Sequence, residues 1–573
     1  MDQPRADRIE SHDVLIIGNG PSAITLSFFL SGRWPYYSGH SADNPHPIEF
    51  LHNRLKSTNL SLMEQDLDHL STGLTGRTLN RVSILFDQLQ NPNTDFGHRQ
   101  QSTLEWRYHP DKAIDHICLG TGLPGGLWHS LRKSKSILTV SRQKWMQLPE
   151  MDANERNCLG KCEQDTRISF GCIAQYYRDY VEHYDLSKYF RNHTRVIRVN
   201  WCAGLDCWIV DAITRTTITT NKRPIISMLS AHHTGSQWLK HLTSLTKLRS
   251  CKCQNETKWI RTRFLAKSIV LATGANSCSP SMLNIPGESS ITDSSKSSTV
   301  IHSLDQLDAI LRSNSYIHRP PESCHGSPIM LIVGSGLSAA DACMMAANSP
   351  FRVIHIFRRS IQDRGLIFNQ LSNENLYPEY NQIFRNMRQT VREAQCPNCF
   401  LDSSETIYQA YQQTSCRQIR TKPYQAVTLQ IGEQQVKSTN KRLRCSKCDT
   451  AIDGKEWTIP VSVVVILIGS KPVLDFLPST INQKLGTNSL EPLDIRSNPI
   501  RVNTITHETL ASNNLYAIGP LVGDNFVRYV QGGALAVAAD LYRKQKVISR
   551  IQSDNEDNCD DSDENDCCQK TIS

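Results

Sequence analysis

Nothing in these 573 residues is apolar for long enough to cross a bilayer. The longest uncharged apolar stretch, residues 461–469, is less than half of the roughly 20 residues that a spanning helix needs. The first thirteen residues are polar and lack the apolar centre of a secretory signal. Without such a signal, the 19 cysteines read as reduced thiols of a cytoplasmic protein rather than as a disulfide framework. No basic stripe interleaved with aromatics runs along the chain, which argues against nucleic acid as a partner. No His-x-x-x-His pair marks a metal helix. The net charge of +8 is uneven. Residues 553–573 hold eight acids and one lysine, net −7, leaving +15 on the rest. This acidic, Asn-rich end, residues 546–573, has no apolar face and is expected to be disordered.

What is present is a repeated turn. Gly18-Asn19-Gly20-Pro21-Ser22-Ala23 follows the apolar residues 14–17, and Gly334-Ser335-Gly336-Leu337-Ser338-Ala339 follows the apolar residues 329–333. Each turn opens a helix-compatible run, residues 24–30 and 340–347. In such a turn the first glycine permits the sharp reversal. The second lets the backbone approach a pyrophosphate, and the third small residue lets the helix pack against its strand. The pyrophosphate then faces free N–H groups and the positive end of the helix. Two copies in strand–turn–helix context predict two dinucleotide sites in one polypeptide. About 20 residues beyond such a turn, an NAD-selective site carries an acid. Here the strand after the second turn ends in Arg358-Arg359, which suits the 2′-phosphate of NADPH through charge-assisted hydrogen bonds. After the first turn no acid arrives on schedule. A polar insertion, residues 33–113, intervenes, and the next strand, residues 114–119, runs into Gly120. Glu64 or Asp66 of the insertion could substitute.

Further along, Gly125-Gly126-Leu127-Trp128 forms a glycine-rich loop. Tyr176, Tyr177 and Tyr180 share one helix face and read as packing residues. Residues 213–262 read as a loop excursion and 361–455 as an irregular polar insertion. Residues 462–468 are almost continuously β-branched, as in a strand buried on both faces. Gly523-Asp524 precede a helix expected over 534–541, with Gly532-Gly533 near its start. Cys396-Pro397-Asn398-Cys399 and Cys445-Ser446-Lys447-Cys448 are paired Cys-x-x-Cys motifs. Four thiolates could hold a structural zinc, but the two pairs lie further apart than the usual roughly 15–20 residues. Unlinked thiols and a redox dithiol are the other readings. The fold class these features predict is α/β, with two Rossmann-like dinucleotide-binding domains. The expected boundaries are 12–300 for the first part of one domain, 301–458 for the inserted NADPH domain, and 459–545 for the return to the first.

This order of parts resembles class B flavin monooxygenases and, more closely, the oxidative-stress-induced growth inhibitor family. The resemblance rests on Asp95-Phe96-Gly97, on Leu123 to Ser130, on Tyr176 to Tyr180, on Val353 to Arg359, and on the long stretch from Leu515 to Arg528. It implies FAD at Gly18, Gly20, Pro21, Ser22 and Ala23, and NADPH at Gly334, Ser335, Gly336, Ala339, Arg358 and Arg359. It also implies that Gly125, Gly126 and Trp128 lie near the flavin and that the helix after Gly532-Gly533 points its N-terminus at the flavin ring. Its activity is NADPH-dependent monooxygenation of a small molecule by O2, with no catalytic side chain assigned, tied to growth restraint, cell death and oxidative stress. A regulatory protein with weak catalysis, binding protein partners through its insertions, is the alternative. Two departures from the monooxygenase pattern stand out. The Phe-x-Gly-x-x-x-His motif is not intact before His302, and the Gly-Asp after the strand at 515–517 reads Gly519-Pro520. This leaves Asp524, beside Gly523, to supply the ribityl contact.

Overall fold

Two parallel sheets organise the chain in the computed structural model. It describes residues 8–39, 45–96, 100–130, 137–151, 167–219, 255–274, 282–288, 300–313, 327–371, 377–403, 405–420, 425–431 and 443–557. In the first sheet, Arg8–Ile17 lies parallel between His116–Leu119 and Asn255–Leu271, with Leu515–Ala517 parallel on the end of the latter. Val14 to Ile17 are buried on both faces, which is why they read as an unbroken apolar run. The second sheet has the order Val300–Ile301, Val463–Ile466, Ile329–Val333, Arg352–Phe357, Tyr408–Gln412, all parallel. It is inserted between the parts of the first, as the repeated turns predict.

Several expectations are corrected. Val463–Ile466 pairs with Ile329–Val333, so the inserted unit runs past the expected boundary at 458. The strand is apolar enough for either sheet, and only its partner decides. The region 213–262 is not all loop. Cys207–Thr219 and Asn255–Leu271 form a long antiparallel ribbon, from Ala266 opposite Trp208 out to Asn255 opposite Thr219. The threonines of residues 214–219 are β-branched and suit a pleated strand. Residues 220–254 lie outside the described residues. The region 361–455 is likewise ordered for much of its length. It holds the amphipathic helix Pro378–Arg392, the sheet strand Tyr408–Gln412, and an antiparallel three-stranded sheet of Thr414–Arg420, Ala426–Ile431 and Lys455–Pro460.

The helix expected to begin near 534 begins at Val527 and runs to Asp557. The first part of the expected acidic tail is therefore helical, and residues 558–573 lie outside the described residues. Gly532-Gly533 sit inside this helix, not at its N-terminus. A Cβ on Gly532 would stand 2.4 Å from the Cα of Ser83 and 2.5 Å from the Val82 carbonyl oxygen. The glycine thus serves a close crossing with the helix Arg81–Gln90 of the insertion. Arg528 reinforces that crossing from a buried position, donating to Asp87 at 3.0 Å and pairing with Asp95. Within the rest of the insertion, Arg33–Tyr37 pairs antiparallel with Leu104–Tyr108. On the helix Phe170–His183, Tyr176, Tyr177 and Tyr180 are buried and donate to the carbonyls of Met151, Met146 and Pro149. They tie the 146–151 segment to the core. Among the described residues no helix is long and apolar enough to cross a membrane.

Candidate dinucleotide-binding site

Both glycine turns open onto a single cavity of about 3060 Å³. The turns are built alike. Gly18 has φ +130° and Gly334 φ +142°. A Cβ on Gly18 would lie 2.2 Å from the Ala272 carbonyl oxygen, and one on Gly334 2.2 Å from that of Leu467. The fold itself therefore demands these two glycines. Gly20 and Gly336 differ. A Cβ on either would meet no protein atom within 4 Å. Each is the N-cap of the helix that follows, Pro21–Leu30 or Leu337–Ala347. Neither cap makes a side-chain hydrogen bond to the first turn, and neither first turn carries an acid. Bare amide groups, the positive helix end and room beside the backbone form a cradle that fits a pyrophosphate.

Of the residues singled out in the sequence, Gly18, Gly20, Pro21, Ser22, Gly126, Trp128, Gly334, Ser335, Gly336, Arg358, Arg359, Gly523 and Asp524 line the cavity. Ala23, Gly125 and Ala339 stand behind its wall. Ala23 and Ala339 are fully buried in the two cores, where a small residue brings helix and sheet together. The Gly125 N–H donates to the Asn19 carbonyl at 2.9 Å, and a Cβ on Gly126 would stand 3.0 Å from the Gly20 Cα. The Gly-Gly loop is thus packed on the first turn. Trp128 meets Phe170 edge to face.

The missing acid has a steric explanation. At Gly120, where that side chain would begin, a Cβ would lie 2.0 Å from Asn19 Nδ2. Asn19 fills the place and donates to the Gly122 carbonyl at 2.8 Å. Neither proposed substitute reaches the cavity. Glu64 pairs with Lys112 at 3.4 Å, and Asp66 caps the helix Leu67–Ser71. Gly519 has φ +72°, and a Cβ there would lie 2.4 Å from the Ser22 hydroxyl oxygen, which accounts for the glycine but not for Pro520 after it. Asp524 is fully buried, and its carboxylate accepts from Thr78 at 2.5 Å and Ser83 at 2.8 Å. Burial pushes its pKa up to about 6, against the lowering effect of hydrogen bonds from Thr78, Asn80 and Ser83. Its oxygens therefore hold the insertion against the cavity wall.

Two features escaped the sequence. His355 on Arg352–Phe357 is fully buried, and burial lowers its pKa to about 4, so the ring is neutral near pH 7. Because the Gly334 carbonyl only accepts, His355 Nε2 donates to it at 2.7 Å, and Nδ1 accepts from the Tyr408 hydroxyl at 2.9 Å. This imidazole pins the second turn to its sheet. Arg496, from the loop before the last strand of the first sheet, lines the same wall as Arg358 and Arg359 and lies within electrostatic reach of Arg359. No local motif marks it, because the fold brings it there from a different unit.

The four paired cysteines come together elsewhere. The Sγ atoms of Cys396, Cys399, Cys445 and Cys448 all lie within 4.8 Å of one another, and none lines the cavity. Cys416 is the one cysteine among the described lining residues.

Two parallel sheets, one inserted in the other, with glycine turns facing a shared cavity, define the FAD/NAD(P)-binding flavoprotein fold. The chain is 36% identical to oxidative stress-induced growth inhibitor 1 of Mus musculus, over 94% of this chain and 97% of that protein. It is 36% identical to the Homo sapiens protein of the same name, over 94% and 97%. It is 33% identical to oxidative stress-induced growth inhibitor 2 of Homo sapiens, over 93% and 94%. The chain belongs to the oxidative stress-induced growth inhibitor family. Residues 244–469 also match the L-lysine 6-monooxygenase/L-ornithine 5-monooxygenase family model. Among solved structures, bacillithiol disulfide reductase from Bacillus cereus aligns with TM-score 0.48 at 12% identity, over 93% of this chain and all of that one. Ornithine hydroxylase from Pseudomonas aeruginosa aligns with TM-score 0.44 at 12% identity, over 93% and 99%.

Proposed function

We propose that the chain is an NADPH-dependent flavoprotein oxidoreductase of the monooxygenase kind, acting on a small molecule with O2. The observation that carries this reading is the shared cavity. Both turns, Gly18 to Ser22 and Gly334 to Ser338, line the same space, so that FAD on the first and NADPH on the second would face each other across it. The matched monooxygenase family model supports the reaction class. Bound flavin supplies the redox chemistry. The chain's own residues bind and orient. Gly20 and Gly336 admit the pyrophosphates, the helix ends stabilise their charge, and Arg358, Arg359 and Arg496 offer guanidinium groups to a 2′-phosphate. Trp128 and the Gly126 backbone wall the cavity and limit water beside the reacting rings. From the names of its relatives we carry over a role in growth restraint under oxidative stress, and we place the protein in the cytoplasm.

A second reading, a regulatory protein with little turnover, draws on Asn19 in the place of the ribose acid and on Asp524 being engaged by the insertion. One experiment separates the two. The purified chain is examined for a flavin spectrum, then for NADPH consumption with oxygen uptake and peroxide release. A yellow protein that consumes NADPH and O2 supports the first reading. A yellow protein without turnover supports the second, and a colourless folded protein that ignores both cofactors overturns the first.

A further inference from the structure

Cys396 caps the short helix Pro397–Asp402, directly after the helix Pro378–Arg392. Cys445 and Cys448 lie 49 and 52 residues later in a tight knuckle. In that knuckle the Asp449 N–H returns to the Cys445 carbonyl at 2.9 Å, and Asp449 adopts φ +54°. The knuckle is docked, with the Ser446 N–H donating to the Ala394 carbonyl at 2.9 Å and the Ser446 hydroxyl to that of Glu393 at 3.1 Å. Two segments far apart in sequence thus present four sulfurs to one point. A Zn–S bond of about 2.3 Å places tetrahedral sulfurs about 3.8 Å apart. Cys396 and Cys448 Sγ are 3.7 Å apart, beyond the roughly 2.05 Å of a disulfide.

A second observation concerns the sulfurs' surroundings. The Cys396 N–H approaches Cys445 Sγ at 3.1 Å, and the Lys447 and Cys448 N–H groups face the same sulfur. The Cys399 N–H faces Cys396 Sγ and the Thr450 N–H faces Cys448 Sγ, whose thiol donates to the Thr450 hydroxyl oxygen at 3.1 Å. Backbone donors aimed at sulfur stabilise thiolates, the form a metal requires.

We propose that Cys396, Cys399, Cys445 and Cys448 hold one structural Zn²⁺ in a closed tetrathiolate site. Binding releases the four thiol protons and leaves a site of charge −2, which the inward N–H groups offset. The ion clips the end of the helix Pro378–Arg392 to the segment that leads into the strand Lys455–Pro460. The first strand of that three-stranded sheet, Thr414–Arg420, supplies Thr414, Ser415, Cys416 and Arg417 to the cavity wall. The zinc therefore fixes a wall of the cavity from behind, without touching it.

The test is metal analysis of the full-length chain, purified without chelators or metal-affinity resin. One zinc per chain is expected. Replacing it with Co²⁺ should give the visible and charge-transfer bands of tetrahedral thiolate ligation. The Cys448→Ser variant, altered at the exposed corner of the site, should lose its zinc to a chelator that the wild type resists. Folded wild-type protein without zinc overturns the proposal. So does protein whose four thiols all react at once with a thiol reagent, protein holding iron instead, or cobalt bands lacking thiolate charge transfer.

Discussion

Arg167 of the first unit donates at 2.9 Å to Asp341, on the helix behind the second glycine turn. The Tyr380 hydroxyl donates to the same carboxylate oxygen at 2.8 Å, and both charged side chains are largely buried. The pair bridges the two units at the base of the helix that carries the second turn. Removing one partner of a buried ion pair leaves the other charge uncompensated, at a cost of about 3–5 kcal/mol. Arg167→Leu should lower the thermal midpoint more than the double variant Arg167→Leu/Asp341→Leu, which removes both charges. A double-variant loss equal to the sum of the Arg167→Leu and Asp341→Leu losses in calorimetry would show that the charges act independently.

Acid should weaken the fold through buried imidazoles. His116, His355 and His507 are fully buried, with pKa values lowered to about 4 by desolvation. Unfolded histidines titrate near 6.5. Between these values the unfolded chain binds more protons than the folded one, so stability falls as pH drops from about 6.5 towards 4. Asp524 works the other way. Its folded pKa of about 6 lies above the unfolded value, so protonation returns part of the loss over the lower range. The expected outcome is a thermal midpoint that declines steadily from pH 7 to pH 5, with His355→Gln flattening the slope. A midpoint independent of pH there would contradict these assignments.

Arg358→Ala should raise the KM for NADPH by roughly tenfold to a hundredfold, the worth of a charge-assisted hydrogen bond of about 1.5–3 kcal/mol. The KM for NADH should barely move. Steady-state kinetics with both nucleotides decides the matter, and an equal rise for both removes the arginine from 2′-phosphate recognition.

Gly20→Val puts its Cβ where no protein atom lies within 4 Å and its methyls beside the backbone that the pyrophosphate would approach. The fold should tolerate it, and flavin should not load. The measurement is the ratio of flavin to protein absorbance beside a thermal melt. A stable variant that stays yellow would refute the first-site assignment.

The turns were legible because their chemistry is local. Gly18 and Gly334 answer to positive φ, and the Gly-x-Gly-x-x-Ala pattern that marks it lies in a six-residue window, although the carbonyls beside them come from Ala272 and Leu467. The strand Val463–Ile466 announced its burial but not its sheet, since the partner lies more than 130 residues away. Gly532 looked like a helix start and is a helix crossing, because Ser83 arrives from the far side of the chain. Asp524 looked like a ligand contact, and Thr78 and Ser83, over 440 residues distant, already occupy its oxygens. Arg496 carried no motif at all, and His355 lay within the stretch Val353 to Arg359 without its role being legible. The cysteine pairs were visible, but their convergence was not, since two separate folds of chain have to meet before four sulfurs do.

The division of labour within each turn lets relatives be sorted by eye. A chain with alanine at the position of Gly18 or Gly334 has damaged its architecture, and its loss of function would say nothing about nucleotides. A chain with a bulky residue at the position of Gly20 or Gly336 keeps its shape and forfeits its cargo. The second kind of change, found in an otherwise intact sequence, would mark a scaffold that has outlived its chemistry.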